Sequence, residues 1–86
     1  MNKQTCPCCG YKTLEELDNY ETCPVCMWMY DDIQSFNPDR RGANKETLRE
    51  AQKNFIEIGR ASKVLFALGG EPTSNYVKDE NWRPLD

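Results

Sequence analysis

Histidine is absent from the 86 residues. That single absence removes Ser-His-Asp and Cys-His nucleophilic arrangements, histidine metal ligands and the commonest general base. Long apolar runs are missing too. The longest, VLFAL at 64–68, falls far short of the roughly 20 residues that span a bilayer, so no membrane segment is expected. The opening MNKQTCPCCG has neither the apolar stretch nor the cleavage pattern of a secretory leader, which sets the expectation of a reducing, cytoplasmic setting. Aliphatic residues are scarce in the N-terminal half and gather in 48–68 and the final stretch. A chain this short buries a modest share of its surface, so the aliphatic-poor half needs a cross-link to fold.

Five cysteines fill that half: Cys6, Cys8, Cys9, Cys23 and Cys26. In a reducing compartment, cysteines paired at C-x-x-C spacing are metal ligands rather than disulfides. CPCC at 6–9 and CPVC at 23–26 are two such turns separated by thirteen residues. In each, two thiolates converge on one ion while proline fixes φ at the start of the turn. Cys6, Cys9, Cys23 and Cys26 are therefore the expected ligands of one closed four-thiolate site, the form taken by structural zinc. A closed site leaves no position for water, which argues against metal catalysis and, with histidine missing, against an enzyme. The same ligands hold iron in a rubredoxin-like electron carrier. Zinc is preferred because Met27 follows the second turn where Gly10 follows the first, a departure from paired glycine turns. Cys8 is the spare thiol, expected at the tip of the first turn and pointing away from the metal; a redox role is its competing use.

The net charge of −3 is unevenly distributed. Residues 1–39 carry −5, residues 40–68 carry +4 and residues 69–86 carry −2. Between the cysteine turns, a strand near Tyr11–Thr13, an acidic turn through Glu15–Asn19 and a return strand near Tyr20–Thr22 are expected to pair with each other. In the run after Cys26, Trp28 and Tyr30 share one side and Met27 and Met29 the other. Trp28 is expected to cover the metal site. An exposed binding face is the competing use of this run. Asp31 and Asp32 are adjacent, and in extended backbone their side chains diverge, poor geometry for a carboxylate pair.

Asn44 is the expected N-cap of a helix beginning at Lys45. Leu48, Ala51, Phe55, Ile58, Ser62 and Leu65 recur at spacings of three and four as its apolar stripe. Lys45, Arg49, Lys53, Arg60 and Lys63 form a basic stripe beside Glu46, Glu50 and Glu57. Acids next to the cations and the acidic balance of the chain favour a solvated face or an acidic protein partner over nucleic acid. Gly59 is expected to break the helix, with Ser62 capping a second one that runs to Leu68. In the polar tail, Trp82, Pro84 and Leu85 are expected to dock on the domain.

CPCCGY at 6–11, YETCPVCMW at 20–28, GANKETLREAQKNF at 42–55 and, more loosely, NWRPL at 81–85 together resemble the bacterial cysteine-rich proteins named for their CPCC motif. That family often has an acid directly after the tryptophan, where this chain has Met29 and Tyr30 before Asp31 and Asp32. The resemblance implies a small zinc-ribbon-like bacterial or phage protein. Relatives encoded near toxins or defence systems imply an immunity, inhibitor or adaptor role.

The expectation is thus one α+β domain over 1–86: a zinc-ribbon or rubredoxin-like metal-binding ribbon at 1–36, a helical segment at 44–68 and an extended tail at 69–86. One zinc ion per chain, with iron as the alternative, supports a protein-interaction module that is a monomer or small homo-oligomer. Its candidate partner surface is Trp28, Met29, Tyr30, Asp31 and Asp32, joined by Arg49, Lys53 and Arg60. A nucleic-acid-binding ribbon is the second reading.

Overall fold

A computed structural model describes residues 3–18, 20–63 and 70–85. The fold is α+β: a short antiparallel sheet, one main helix and a cysteine cluster. Strand β1, Gln4–Thr5, pairs with β2, Lys12–Leu14. The first cysteine turn joins them and is itself the reversal of the chain. The second cysteine turn reverses its own ribbon, where Thr22 bridges to Met29 and the Tyr20 and Tyr30 amides donate to Tyr30 and Glu21 carbonyls. The hairpin expected between the turns is thus replaced by two ribbons, one around each turn. A C-x-x-C turn already brings its flanking residues side by side, so each flank finds its partner across its own turn.

The register of β1 and β2 contains a bulge. Gln4 opposes Leu14 and Thr5 opposes Lys12, which leaves Thr13 as the extra residue. A bulge re-aims side chains, and here two successive residues, Thr13 and Leu14, are both buried.

Helix α1, Asp32–Phe36, starts at Asp31, whose carboxylate accepts from the Ile33 and Gln34 amides. The Ala43 amide donates to the same carboxylate at 2.9 Å and ties the following loop to the helix start. Gln34 is fully buried. Its Nε2 donates to the Arg40 and Glu46 carbonyls, and its Oε1 accepts from the Asn44 amide and side chain. Asn44 in turn pairs with both the N–H and the carbonyl of Met29. Its carboxamide is therefore committed elsewhere and does not cap the main helix.

That helix, α2, spans Leu48–Ile58 and begins three residues later than expected, at a capping box formed by Thr47 and Glu50. It ends at Gly59, φ 76°, whose amide donates to the Phe55 carbonyl. The break at Gly59 is as expected. Ser62 donates its hydroxyl to Glu46, and the second helix expected as far as Leu68 lies largely outside the described residues. Leu48, Ala51 and Gln52 are the buried face of α2; Phe55 is partly buried and Ile58 is 36% exposed. Gln52 takes the place expected of Ile58 because its two amide atoms have backbone partners, Pro7 and Leu85.

Of the tail residues expected to dock, Trp82 is partly buried with its indole N–H on the Pro7 carbonyl. Pro84 and Leu85 instead have exposed side chains, and Leu85 reaches the domain only through its amide, on Gln52. After a 3-10 turn at Thr73–Asn75, Lys78 bridges to Tyr11 and the Lys12 amide donates to the Val77 carbonyl at 2.8 Å. The core lies where these pieces meet. It contains all five cysteines with Leu14, Val25, Trp28, Tyr30, Leu48, Ala51 and Ala61.

Candidate metal centre

The two cysteine turns repeat each other atom for atom along the backbone. The Cys6 carbonyl accepts from the Gly10 amide and the Cys6 amide donates to Tyr11; the Cys23 carbonyl accepts from Met27 and the Cys23 amide donates to Trp28, all at 2.9 Å. Gly10 closes the first turn at φ 81° and Met27 closes the second at φ 68°. Methionine thus occupies a backbone conformation suited to glycine. This overturns the basis on which zinc was preferred over iron, because the two turns have one geometry despite their different residues.

The turns face each other and bring Cys6, Cys9, Cys23 and Cys26 together, with their sulfur atoms all within 4.8 Å and all four residues buried. Across the cluster, Cys6 and Cys26 sulfurs stand 3.6 Å apart and Cys9 and Cys23 sulfurs 3.9 Å. A disulfide needs about 2.05 Å, and the cysteines are free thiols. Four thiolates bonded at about 2.3 Å to a tetrahedral ion stand about 3.8 Å from one another, so the spacing fits a metal. Burial pushes the Cys6 and Cys26 thiols well above the usual thiol range. Cys23 is pulled far below it by hydrogen bonds from Cys26, Cys6 and Cys9. Further donors reach the Cys23 sulfur: the Thr13 hydroxyl at 3.0 Å and the Cys26 amide at 3.5 Å. The bulge in β2 thus carries a hydroxyl from the first ribbon to a sulfur of the second, a support that ligand spacing does not reveal.

Cys8 corrects the expectation of a displayed thiol. It is 1% exposed and part of the core, outside the group of four. The turn's tip is covered because the Pro7 carbonyl accepts from both Gln52 Nε2 at 2.9 Å and Trp82 Nε1 at 3.1 Å. Gln52 and Trp82 are supporting residues whose roles depend on long-range packing. Docking of Trp82 was expected from the tail's composition; its place on Pro7, and any role for Gln52, had no signal in the local pattern.

The expected partner surface is dispersed. Trp28 is fully buried, consistent with its placement over the cysteines, and Tyr30 is buried. Asp31 is occupied with capping α1, Asp32 is exposed, and Met29 is partly buried in a groove of about 340 Å³ with Met27, Ala43 and Asn44. The basic stripe dissolves as well. Lys45 precedes α2 while Arg60 and Lys63 follow its end; Arg49 is ion-paired with Asp39 and Lys63 with Glu57. Lys53 is exposed on the helix. No helix among the described residues is long and apolar enough to cross a membrane.

Two cysteine turns, each at the end of its own ribbon and closing on one buried four-thiol cluster beside a single main helix, define a small cysteine-rich domain of zinc-ribbon-like form. The chain belongs to the cysteine-rich CPCC family, which matches residues 4–75. The match includes both turns and α2 but stops short of Trp82. Among curated proteins, nothing matches the chain.

Proposed function

We propose that the chain is a structural-zinc protein that binds another protein and carries no catalytic role. The observation that carries this reading is the buried, closed set of four thiols. With all four positions of a tetrahedral ion supplied by protein, neither water nor substrate has a place at the metal. Zinc adds no redox chemistry of its own, and it holds together a half-chain that has little else to bury. Binding to protein is supported by Ile33 and Phe36, 52% and 81% exposed and one turn apart on α1. Their outward placement has no use in the core described above. An immunity, inhibitor or adaptor role for this binding is what the family resemblance suggests.

The first test is composition: the purified protein should be colourless and contain one zinc per chain. A red protein with stoichiometric iron would replace this reading with an electron carrier. The second test is a doubly substituted Ile33→Asp, Phe36→Asp chain, which should keep its zinc and lose the protein that the parent retains on an affinity support. Retention of that protein by the variant would remove α1 from the binding surface. Nucleic-acid binding is disfavoured because Arg41, Arg49 and Lys63 all lie against acids. Affinity for duplex or single strands that falls steeply with salt would reinstate it.

A further inference from the structure

The segment after the 3-10 turn makes contacts that concentrate on one place. The Asp79 amide donates to the Gly10 carbonyl at 2.9 Å, and its carboxylate accepts from the Thr5 hydroxyl at 2.5 Å. Trp82 donates its indole N–H to the Pro7 carbonyl. Its ring lies so close over Gly10 that a β-carbon there would stand 2.4 Å from Trp82 Cε3. Lys78 secures the ring, with Nζ 5.2 Å from the Tyr11 centroid and 5.4 Å from that of Trp82, within the range of cation–π attraction. Pro7 and Gly10 are the two ends of the turn that carries Cys8 and Cys9. The tail therefore grips both ends of the first cysteine turn.

Resting on the metal reading above, we propose that residues 77–82 are a latch that sets the rate at which the centre exchanges its metal. An ion held by four thiolates leaves by losing them in steps, and a sulfur of the first turn swings outward only if the backbone between Pro7 and Gly10 moves. That movement meets the indole ring on one side and loses the Pro7 and Gly10 carbonyl partners on the other. The second turn has a different restraint, from Ala61 to the Cys26 carbonyl and from Glu71 to the Pro24 carbonyl, and none from Trp82. Trp82 is only partly buried, so the ring can lift without opening the core. Lifting it would loosen the first turn, Cys6 and Cys9 included, leaving only Gln52 on the Pro7 carbonyl and Asp79 on the Gly10 carbonyl, while the second turn kept its hold.

The test uses the full-length chain loaded with zinc, transferring the ion to excess chelator under a chromophoric metal indicator. Metal content of the parent is measured first. A parent without bound metal overturns the metal reading and the latch together. With the parent loaded, Trp82→Ala is expected to release zinc faster by about tenfold or more, the ratio given by losing about 1.4 kcal/mol. Trp82→Phe, which keeps a ring over Gly10 and loses the Pro7 hydrogen bond, should fall between the two. Ile56→Ala, at a side chain 73% exposed on α2 and outside the latch, should match the parent. If Trp82→Ala does not fold, Lys78→Gln serves in its place, because it removes the cation between the rings and leaves the backbone contacts; it too should release faster. Release rates of the folded variants within twofold of the parent, from a fully loaded chain, would overturn the latch alone.

Discussion

Met27 holds a left-handed backbone at φ 68°, a conformation that costs a residue with a β-carbon about 1–2 kcal/mol. Its amide must reach the Cys23 carbonyl to close the turn, so the strain persists. Met27→Gly should therefore raise the stability of the metal-loaded chain by about 1 kcal/mol, less than the full relief because glycine also loosens the unfolded state. A lower denaturation midpoint in the variant would contradict this. Cys8 makes a second prediction at the same scale. Cys8→Ser should keep the metal, since the other four thiols form the cluster, and lose about 1–3 kcal/mol by burying a hydroxyl where a thiol sat. Cys6→Ser or Cys9→Ser should lose the metal itself, which metal analysis of the purified variants distinguishes. The four-thiol group was legible in the sequence because C-x-x-C spacing acts over one turn of chain. The burial of Cys8 was not, because Gln52 and Trp82, which cover that turn, lie 45 and 75 residues from Pro7.

Helix α1 is five residues long, too short to persist without help, and its support is concentrated in Asp31 and Gln34. The Asp31 carboxylate is held below the usual carboxylate range, chiefly by the Ala43 amide and then by those of Gln34 and Ile33. Asp31→Ala should cost about 1–2 kcal/mol, the upper part of the usual loss of an N-cap. A carboxylate whose pKa falls on folding stabilises fully above its unfolded value of about 4 and loses that contribution as the pH drops through the folded one. The gap between parent and variant, measured by chemical denaturation from neutral pH downward, should accordingly be widest at neutral pH and close in acid. A gap that does not vary with pH would rule out the charge as its source. Element starts show why part of the fold escaped sequence reading. Thr47-Leu-Arg-Glu50 is a capping box and gave the true start of α2, whereas Asn44 is an equally good cap in isolation. Asn44 was diverted by Met29 and Gln34, partners 15 and 10 residues away. The stop at Gly59 was readable because a left-handed C-cap is a local requirement. The two separate ribbons were not, since strands this short carry too few residues to declare their partners.

Across the whole molecule, the cysteine cluster is not attached to a core; it occupies the middle of one. Among the described residues, five of the twelve in that core are cysteines, and the aliphatic ones beside them are Leu14, Val25, Leu48 and two alanines. β2 supplies Thr13 to a sulfur of the second turn, α2 and the tail hold the first turn through Pro7, and Ala61 holds the second through Cys26. β2, α2, the tail and the segment at Ala61 are thus each tied to the centre by a direct contact or by one intermediary. Domains have net stabilities of about 5–15 kcal/mol, and structural zinc in small peptides supplies about 10–16 kcal/mol at neutral pH, so a zinc ion bound here would outweigh the remainder of the fold. Without it, burial favours the protonated thiols of Cys6 and Cys26, and the two turns keep only the Thr13 hydroxyl contact and the lean apolar packing between them. Removing the metal with excess chelator should therefore unfold the chain rather than loosen one end. The near-ultraviolet dichroism of the buried Trp28 should vanish and the thermal transition should lose its cooperativity, and both should return when zinc is restored under reducing conditions. Lowering the pH should act in the same direction, because protons compete with the ion for the thiolates. A metal-free chain, verified by elemental analysis, that kept its near-ultraviolet signal and melting temperature would show that the interior holds without the ion.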